Sequence, residues 1–460
     1  MKVYFLMQQE RSRMLGEMPM GKLVPKVSVP IMISMLVQAL YNVVDSIFVA
    51  KYDANALTAV SLAYPIQMLM IALSTGLGVG INSLISRKLG EKNHAEACKA
   101  AKTGLVLEAM GAGLFIVVGL VFAPMLMRMF TPDANLQQLG STYLAIVCSV
   151  SIGLFMSITL ERMLQATGNT MLSMTVQLSG AVTNIVLDPI LIFGMFGLPA
   201  MGIAGAALAT VLGQLFSMTL GFILNQKKNV ELKLDCHDWK IDMRMVKGIL
   251  TVGLPSTVMA SIGSVLNVAM NMLLIQYGNV AVSVLGVYFK VQSFVFMPVF
   301  GLSNGMVPIV GYNYGARNRR RVYEAIKVCM IFAASIMAAG TLLFMLAPEW
   351  LMSLFEANGP SELTALGVPA MRTISISFVL AAVGITLSTV FQAVGKGSYS
   401  LIISLCRQLV VLLPAAWILS GLGGLNAIWW AFPIAECMAM VLCLGFFRKC
   451  DKAFIRPLGQ

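Results

Sequence analysis

The chain has 460 residues, 58% of them hydrophobic and only 11% charged, with a mean hydropathy of +0.83 and a formal net charge of +12. A soluble globular domain carries about 25% charged residues, so this deficit excludes a water-soluble fold and places the chain in the membrane class. The basic balance alone would admit a nucleic-acid partner, but the charges fall where membrane topology puts them, and no nucleic acid is expected.

A helix crossing the hydrocarbon core needs roughly 20 apolar residues. On that measure twelve spans are predicted, at about 27–50, 58–86, 101–127, 139–164, 171–193, 199–224, 246–276, 281–311, 323–347, 364–394, 399–420 and 425–447. Charges interrupt Met1–Lys26 before the first apolar run, so it reads as a cytoplasmic tail rather than a cleaved signal peptide. With that tail inside, the inner segments hold 28 of the 32 Lys and Arg residues. Both termini are therefore expected in the cytoplasm. Arg319-Arg320-Arg321 reads as a loop end on the same side. The predicted organisation is a tail (1–26), a first lobe (27–224), the charged linker 225–247, a second lobe (248–447) and a C-terminal tail (448–460).

The chain also repeats itself. Shifted by 225 residues, Pro30 falls on Pro255, Asn42 on Asn267, Gly76 on Gly301, Gly80 on Gly305, Gly90 on Gly315 and Asn93 on Asn318, without a gap. Six spans per copy start both copies on the same side, which predicts parallel repeats about an axis along the membrane normal. Two such units facing each other form a path that can be gated by rocking, and this favours a transporter over a channel. One chain holding both lobes is expected to work as a monomer in the lipid bilayer.

Acidic residues inside spans are expensive, about 2.5–3.5 kcal/mol each near the bilayer centre, and so face a cavity or a partner. Asp45 and Asp188 lie deepest. Asp45 shares a helix face with Tyr41 and Asn42; Asp188 shares one with Asn184 and Gln177 and precedes Pro189. Thr210, Gln214 and Ser217 form a polar stripe on the sixth span. These oxygens suit either Na⁺ or a proton. Glu108 and Glu161 sit nearer the cytoplasmic ends, and Glu161, beside Arg162, reads as structural. In the second half, Met270 stands where Asp45 would be. Asn267, Asn271, Lys290, Phe294 and Glu436 are its candidate cavity residues.

The eight cysteines form no CxxC pair and His94 and His237 both lie in loops, so neither a zinc site nor a histidine relay within the membrane is expected. The 34 methionines read mostly as packing and lipid-facing residues. No phosphate-binding loop or nucleophile motif appears, so neither an enzyme nor a bound cofactor is expected.

The stretch Pro308-Ile-Val-Gly-Tyr-Asn-Tyr-Gly-Ala-Arg-Asn318 resembles a signature of the MATE (multidrug and toxic compound extrusion) antiporters. Ser86–Asn93, Asn184–Gly194 and Gly202–Thr210 match further motifs, and the likeness, closest to the MepA-like branch, runs from about residue 26 to 447. The resemblance implies an all-α membrane protein with twelve transmembrane helices in two six-helix lobes. It implies export of amphipathic drugs or toxic organic cations across the bacterial cytoplasmic membrane, in exchange for H⁺ or Na⁺. Carried over by position, the cation site falls on Asp45, Asn184, Asp188 and Thr210. The family's alternative site, with carboxylates in the seventh and tenth helices, is not matched here. A flippase for lipid-linked saccharide, from the related superfamily, is the competing reading; Lys290, Arg372 and Arg407 are the basic residues it would draw on.

Overall fold

The computed structural model describes residues 14–232, 241–355 and 362–459. The side chains of Asn42, Val43, Ala50 and Ala54, and linker residues 233–240, lie outside the described residues. Among those described, the chain is helical throughout, with no strand. In chain order the helices are α1 Met20–Tyr52, α2 Ala54–Gly90, α3 His94–Phe130, α4 (the bent pair Ala134–Ser149 and Ile152–Ala166), α5 Thr170–Phe193 and α6 Ile203–Lys228. There follow α7 Met243–Leu274, α8 Asn279–Gly315, α9 Arg319–Leu346, α10 (the bent pair Glu362–Ser375 and Phe378–Ala393), α11 Gly397–Ile428 and α12 Ala431–Ile455. The bends in α4 and α10 are 46° and 50°. Ten helices are long and apolar enough to cross a membrane, and counting each bent pair as one span gives the predicted twelve.

Helix boundaries differ from the apolar runs at the charged end. α1 starts at Met20, seven residues before the predicted span, because Leu23, Val24 and Val27 are buried while Lys22 and Lys26 point outwards. A hydropathy window sees the lysines and stops; the helix is amphipathic there and continues. The linker is shorter for the same reason, since α6 runs to Lys228 and α7 begins at Met243.

The repeat governs the local structure. Asn93 and Asn318 are matched caps: the side chain of each accepts from the backbone N–H three residues on, at 3.1 and 3.3 Å. The residue before each cap is left-handed, Lys92 at φ 58° and Arg317 at φ 54°.

The matched glycines lie where one lobe meets the other. A Cβ on Gly76 would overlap Thr257, one on Gly80 the Ile249 carbonyl, and one on Gly90 the Tyr312 carbonyl. Reciprocally, Gly301 abuts Met32, Gly305 abuts Ser28 and Gly315 abuts the Arg87 carbonyl. Only glycine permits backbones to approach this closely. Ser83 Oγ adds a hydrogen bond across the junction, donating to the Gln392 carbonyl at 2.6 Å.

All these contacts lie towards the end bearing the basic turns 87–102 and 315–327. One apolar core spans both lobes there, joining Leu23, Ile81 and Ile85 to Ile249, Met306 and Val310. At the far end a second core, with Val49, Phe115, Tyr143 and Ile192, belongs to the first lobe alone. Among the described residues, the close backbone contacts between the lobes named above lie at the basic end.

Candidate functional site

A polar cluster near the far end of the first lobe is built from α1, α2, α4, α5 and α6. Helices α5 and α6 cross so closely that a Cβ on Gly180 would overlap the Ser217 hydroxyl, and one on Gly205 the Leu191 carbonyl at 2.5 Å. Ser217 Oγ donates to the Val176 carbonyl at 2.9 Å and locks the pair. That packing fixes the register of Asn184, Asp188 and Thr210. α5 remains helical through Pro189 and ends at Gly194 in the left-handed region, φ 74°.

Asp188 is fully buried, and the Asp45 carboxyl on α1 lies directly against it. With its amide turned to suit both neighbours, Asn184 donates to Asp188 Oδ2 at 3.3 Å and accepts from the Thr210 N–H at 3.2 Å. The Thr210 hydroxyl donates back to the Ala206 carbonyl at 3.0 Å, leaving its lone pairs available. Asp45 Oδ1 is buried without a hydrogen-bond partner, as is Gln214 Oε1. Two carboxyl groups in contact at membrane depth need a proton or a cation between them. The donors at hand, carboxylate, amide and hydroxyl oxygens, fit a hard monovalent ion or H⁺ and offer nothing soft.

Three nearby tyrosines and three glutamines complete the cluster. Tyr41 lies within electrostatic reach of both aspartates and of Tyr64. Tyr143 on α4 also reaches both, and its hydroxyl meets Gln67 Oε1 at 3.4 Å. Gln177 Nε2 donates to Gln38 Oε1 on α1 at 3.1 Å. Sequence reading missed Tyr143, Gln38 and Gln67 as site residues. At the repeat's shift of 225 residues Gln67 falls on Gln292, and that was the one signal available; a single tyrosine in an apolar run does not mark Tyr143.

The second-lobe candidates are not gathered in this way. Asn271 Nδ2 donates to Asn267 Oδ1 at 3.3 Å on an exposed face of α7. Lys290 is exposed, its ammonium 6.0 Å from the Phe355 ring centroid, and Phe294 is half exposed. Glu436 forms an ion pair with Arg407 of α11 at 3.0 Å. Arg372 pairs with Glu349, also at 3.0 Å. Two of the three basic residues on which a flippase reading would draw therefore already hold carboxylates.

The MatE family model matches this chain twice, over residues 30–190 and 255–418. The chain belongs to the MATE family. The two matches begin 225 residues apart, which is the register of the internal repeat. Among curated proteins it is similar to the multidrug export protein MepA of Staphylococcus haemolyticus (strain JCSC1435), 27% identical over 418 residues and 91% of each chain. Among solved structures it is similar to a multidrug resistance MATE family transporter of the MOP superfamily in an outward-facing conformation, at TM-score 0.89 and 27% identity, over 96% of this chain and 98% of that one. A MOP superfamily transporter from Pyrococcus furiosus Vc1 (DSM3638) matches at TM-score 0.90 and 26% identity, over 96% and 98%. The all-α, two-lobed membrane fold expected from sequence is thus the MATE fold.

This MATE chain holds a second polar network in its first lobe. Glu108 on α3 is fully buried, with neither carboxyl oxygen hydrogen-bonded, and Ser74, Thr159 and Arg162 are its polar surroundings. Arg162, 6% exposed, donates to Gln165 Oε1 at 2.8 Å. Gln165 Nε2 in turn reaches Glu161 Oε1 at 2.8 Å and Ser173 Oγ at 3.0 Å. Glu161 and Arg162 are therefore joined through Gln165, which sequence adjacency does not reveal. Arg162→Ala strips the network of its cation and should cost about 3–5 kcal/mol. It should show as a lowered thermal midpoint of the purified protein; an unchanged midpoint would mean that Arg162 contributes nothing to the network.

Proposed function

We propose that the protein is a secondary antiporter that exports amphipathic organic cations in exchange for H⁺ or Na⁺ by alternating access. The observation that carries this reading is the contact between Asp45 and Asp188, two carboxyl groups from different helices, one of them fully buried. The membrane is the bacterial cytoplasmic membrane, with the basic end and both termini on the cytoplasmic side. Helices α1–α6 and α7–α12 act as the two lobes, with the segment between α6 and α7 as their linker, and a single chain suffices for transport. The glycine-packed end is then the inner gate, and the cluster is loaded from outside. A cation or proton arriving at Asp45, Asn184, Asp188 and Thr210 neutralises the pair and reshapes the α1–α5 contact. This lowers the affinity of the cleft for a positively charged drug.

The test is efflux of a fluorescent organic cation from vesicles reconstituted with the purified chain, under a pH gradient or a Na⁺ gradient imposed separately. One gradient alone should drive efflux, and Asp188→Asn should abolish it. Equal efflux by native and Asp188→Asn proteins would remove the coupling assignment, and no gradient-driven efflux from the native protein would remove the antiporter reading.

A further inference from the structure

The two cap turns at the basic end share one backbone frame but carry opposite charge patterns. In the first lobe the turn neutralises itself: Lys88 Nζ pairs with Glu91 at 2.9 Å and with Glu96 at 2.7 Å. At the matched positions of the second lobe, Glu91 becomes Ala316, Lys92 becomes Arg317, His94 becomes Arg319 and Glu96 becomes Arg321. The fold accepts either pattern, so the basic version is not a demand of the turn.

The arginines of this second turn have distinct duties. Arg321 folds inwards, its Nε donating to Asn313 Oδ1 at 3.0 Å and its Nη2 to the Leu15 and Met18 carbonyls at 3.1 and 2.9 Å. Arg320 pairs with Glu324 at 2.8 Å. Asp451 is taken by Arg456 at 2.8 Å and by the Tyr323 hydroxyl. Among the described residues, no carboxylate pairs with Arg317 or Arg319. The Arg319 guanidinium is held by other means, 5.6 Å from the Tyr323 ring centroid and 3.5 Å from the Arg456 carbonyl. Both are exposed and line an open surface cavity of about 610 Å³ that Leu458 and Gly459 also border. The start of α9 faces it, and Asn318 caps only the Arg321 N–H there, so the first N–H groups of the helix have no acceptor within it.

Two guanidiniums with no carboxylate partner among the described residues, and the N-terminus of a 28-residue helix, border one open cavity and have the chemistry that recognises phosphate. We propose that this cavity is a phosphate-binding site, with Arg317 and Arg319 as its cationic ligands. The phosphate is supplied by the headgroup of an anionic phospholipid in the adjoining leaflet or by a soluble phosphate ester. The proposal stands apart from the transport reading, because binding is measured without transport.

The full-length chain is purified and tested with two probes. One is phosphatidylglycerol in phosphatidylcholine nanodiscs, read as retained lipid by native mass spectrometry; the other is inorganic phosphate, read by calorimetry. The native chain should bind at least one of them. Arg317→Gln with Arg319→Gln should weaken that binding at least roughly ten-fold, through loss of two charge-assisted contacts. Lys92→Gln in the first-lobe turn should leave it unchanged. Retention of phosphatidylglycerol against excess inorganic phosphate identifies the lipid as the source, whereas displacement identifies a soluble phosphate. Binding of neither probe by the native chain overturns the proposal, as does a double variant that binds like the native one. Should the double variant not purify as a folded monomer, Arg317→Gln alone carries the same comparison.

Discussion

A methyl group on both Gly90 and Gly315 should open the basic end of the protein. Each glycine lies against a backbone carbonyl of the opposite lobe, Tyr312 for Gly90 and Arg87 for Gly315, and a Cβ on either would overlap that oxygen. Backbone atoms cannot rotate aside as a side chain can, so the lobes must separate where they are tied. Such overpacking costs about 1–3 kcal/mol per site. It falls on the state closed at this end and spares one in which the lobes have parted. A bias of about 1.4 kcal/mol already changes the ratio of the two states ten-fold. In a cysteine-free background, Ser83→Cys reports the change, because Ser83 is bonded across the junction to Gln392 in the closed form. The Gly90→Ala, Gly315→Ala pair should raise its labelling rate by an impermeant thiol reagent, applied from the basic side, at least roughly ten-fold. Unchanged labelling at normal expression would show that the glycines do not hold the junction shut.

The second large effect concerns additivity. Asp45→Asn and Asp188→Asn should each abolish gradient-driven efflux, and the double variant should be no worse than either single one. The reason is geometric: the two carboxyls are in contact, so a proton or cation is held by the pair and not by either member. Removing one acid removes the shared site, and groups that act as a unit give strongly non-additive losses. Asn184, which bridges Asp188 to Thr210, should behave differently. Asn184→Ala leaves both acids in place and should weaken cation affinity while sparing the maximal rate. Efflux measured against cation concentration separates these cases. Two single variants with partial, multiplying losses would mean that the aspartates bind independently.

The lobes, the spans and the deep aspartates were legible because each leaves a mark along the chain. Hydropathy marks spans, a gapless register marks the repeat, and an acid in an apolar run is conspicuous. What joins distant residues leaves no such mark. The repeat picks out Gly90 and Gly315 as a matched pair, but not that each faces the other lobe; a glycine packed within its own lobe would read identically. Glu436 was read as a candidate cavity residue from its place inside an apolar span. Its partner Arg407 lies 29 residues earlier, on another helix, and is found only when the helices are assembled. Tyr143 escaped notice for the opposite reason: a lone tyrosine in a span is unremarkable until two aspartates are brought beside it. Helix ends were misjudged where lysines lie on the outer face of a helix that is otherwise buried, as at Lys22 and Lys26.

The packing of the N-terminal segment has a consequence for how the protein is made. The Leu15 carbonyl accepts from Asn313 Nδ2 at 3.1 Å and from Arg321 at 3.1 Å, partners 298 and 306 residues later in the chain. At a synthesis rate of roughly 5–20 residues per second, that wait lasts about 15–60 s. Throughout it, the short turn ahead of α1 is without these partners from the second lobe. The segment ahead of α1 is therefore among the last parts of the first lobe to find its place.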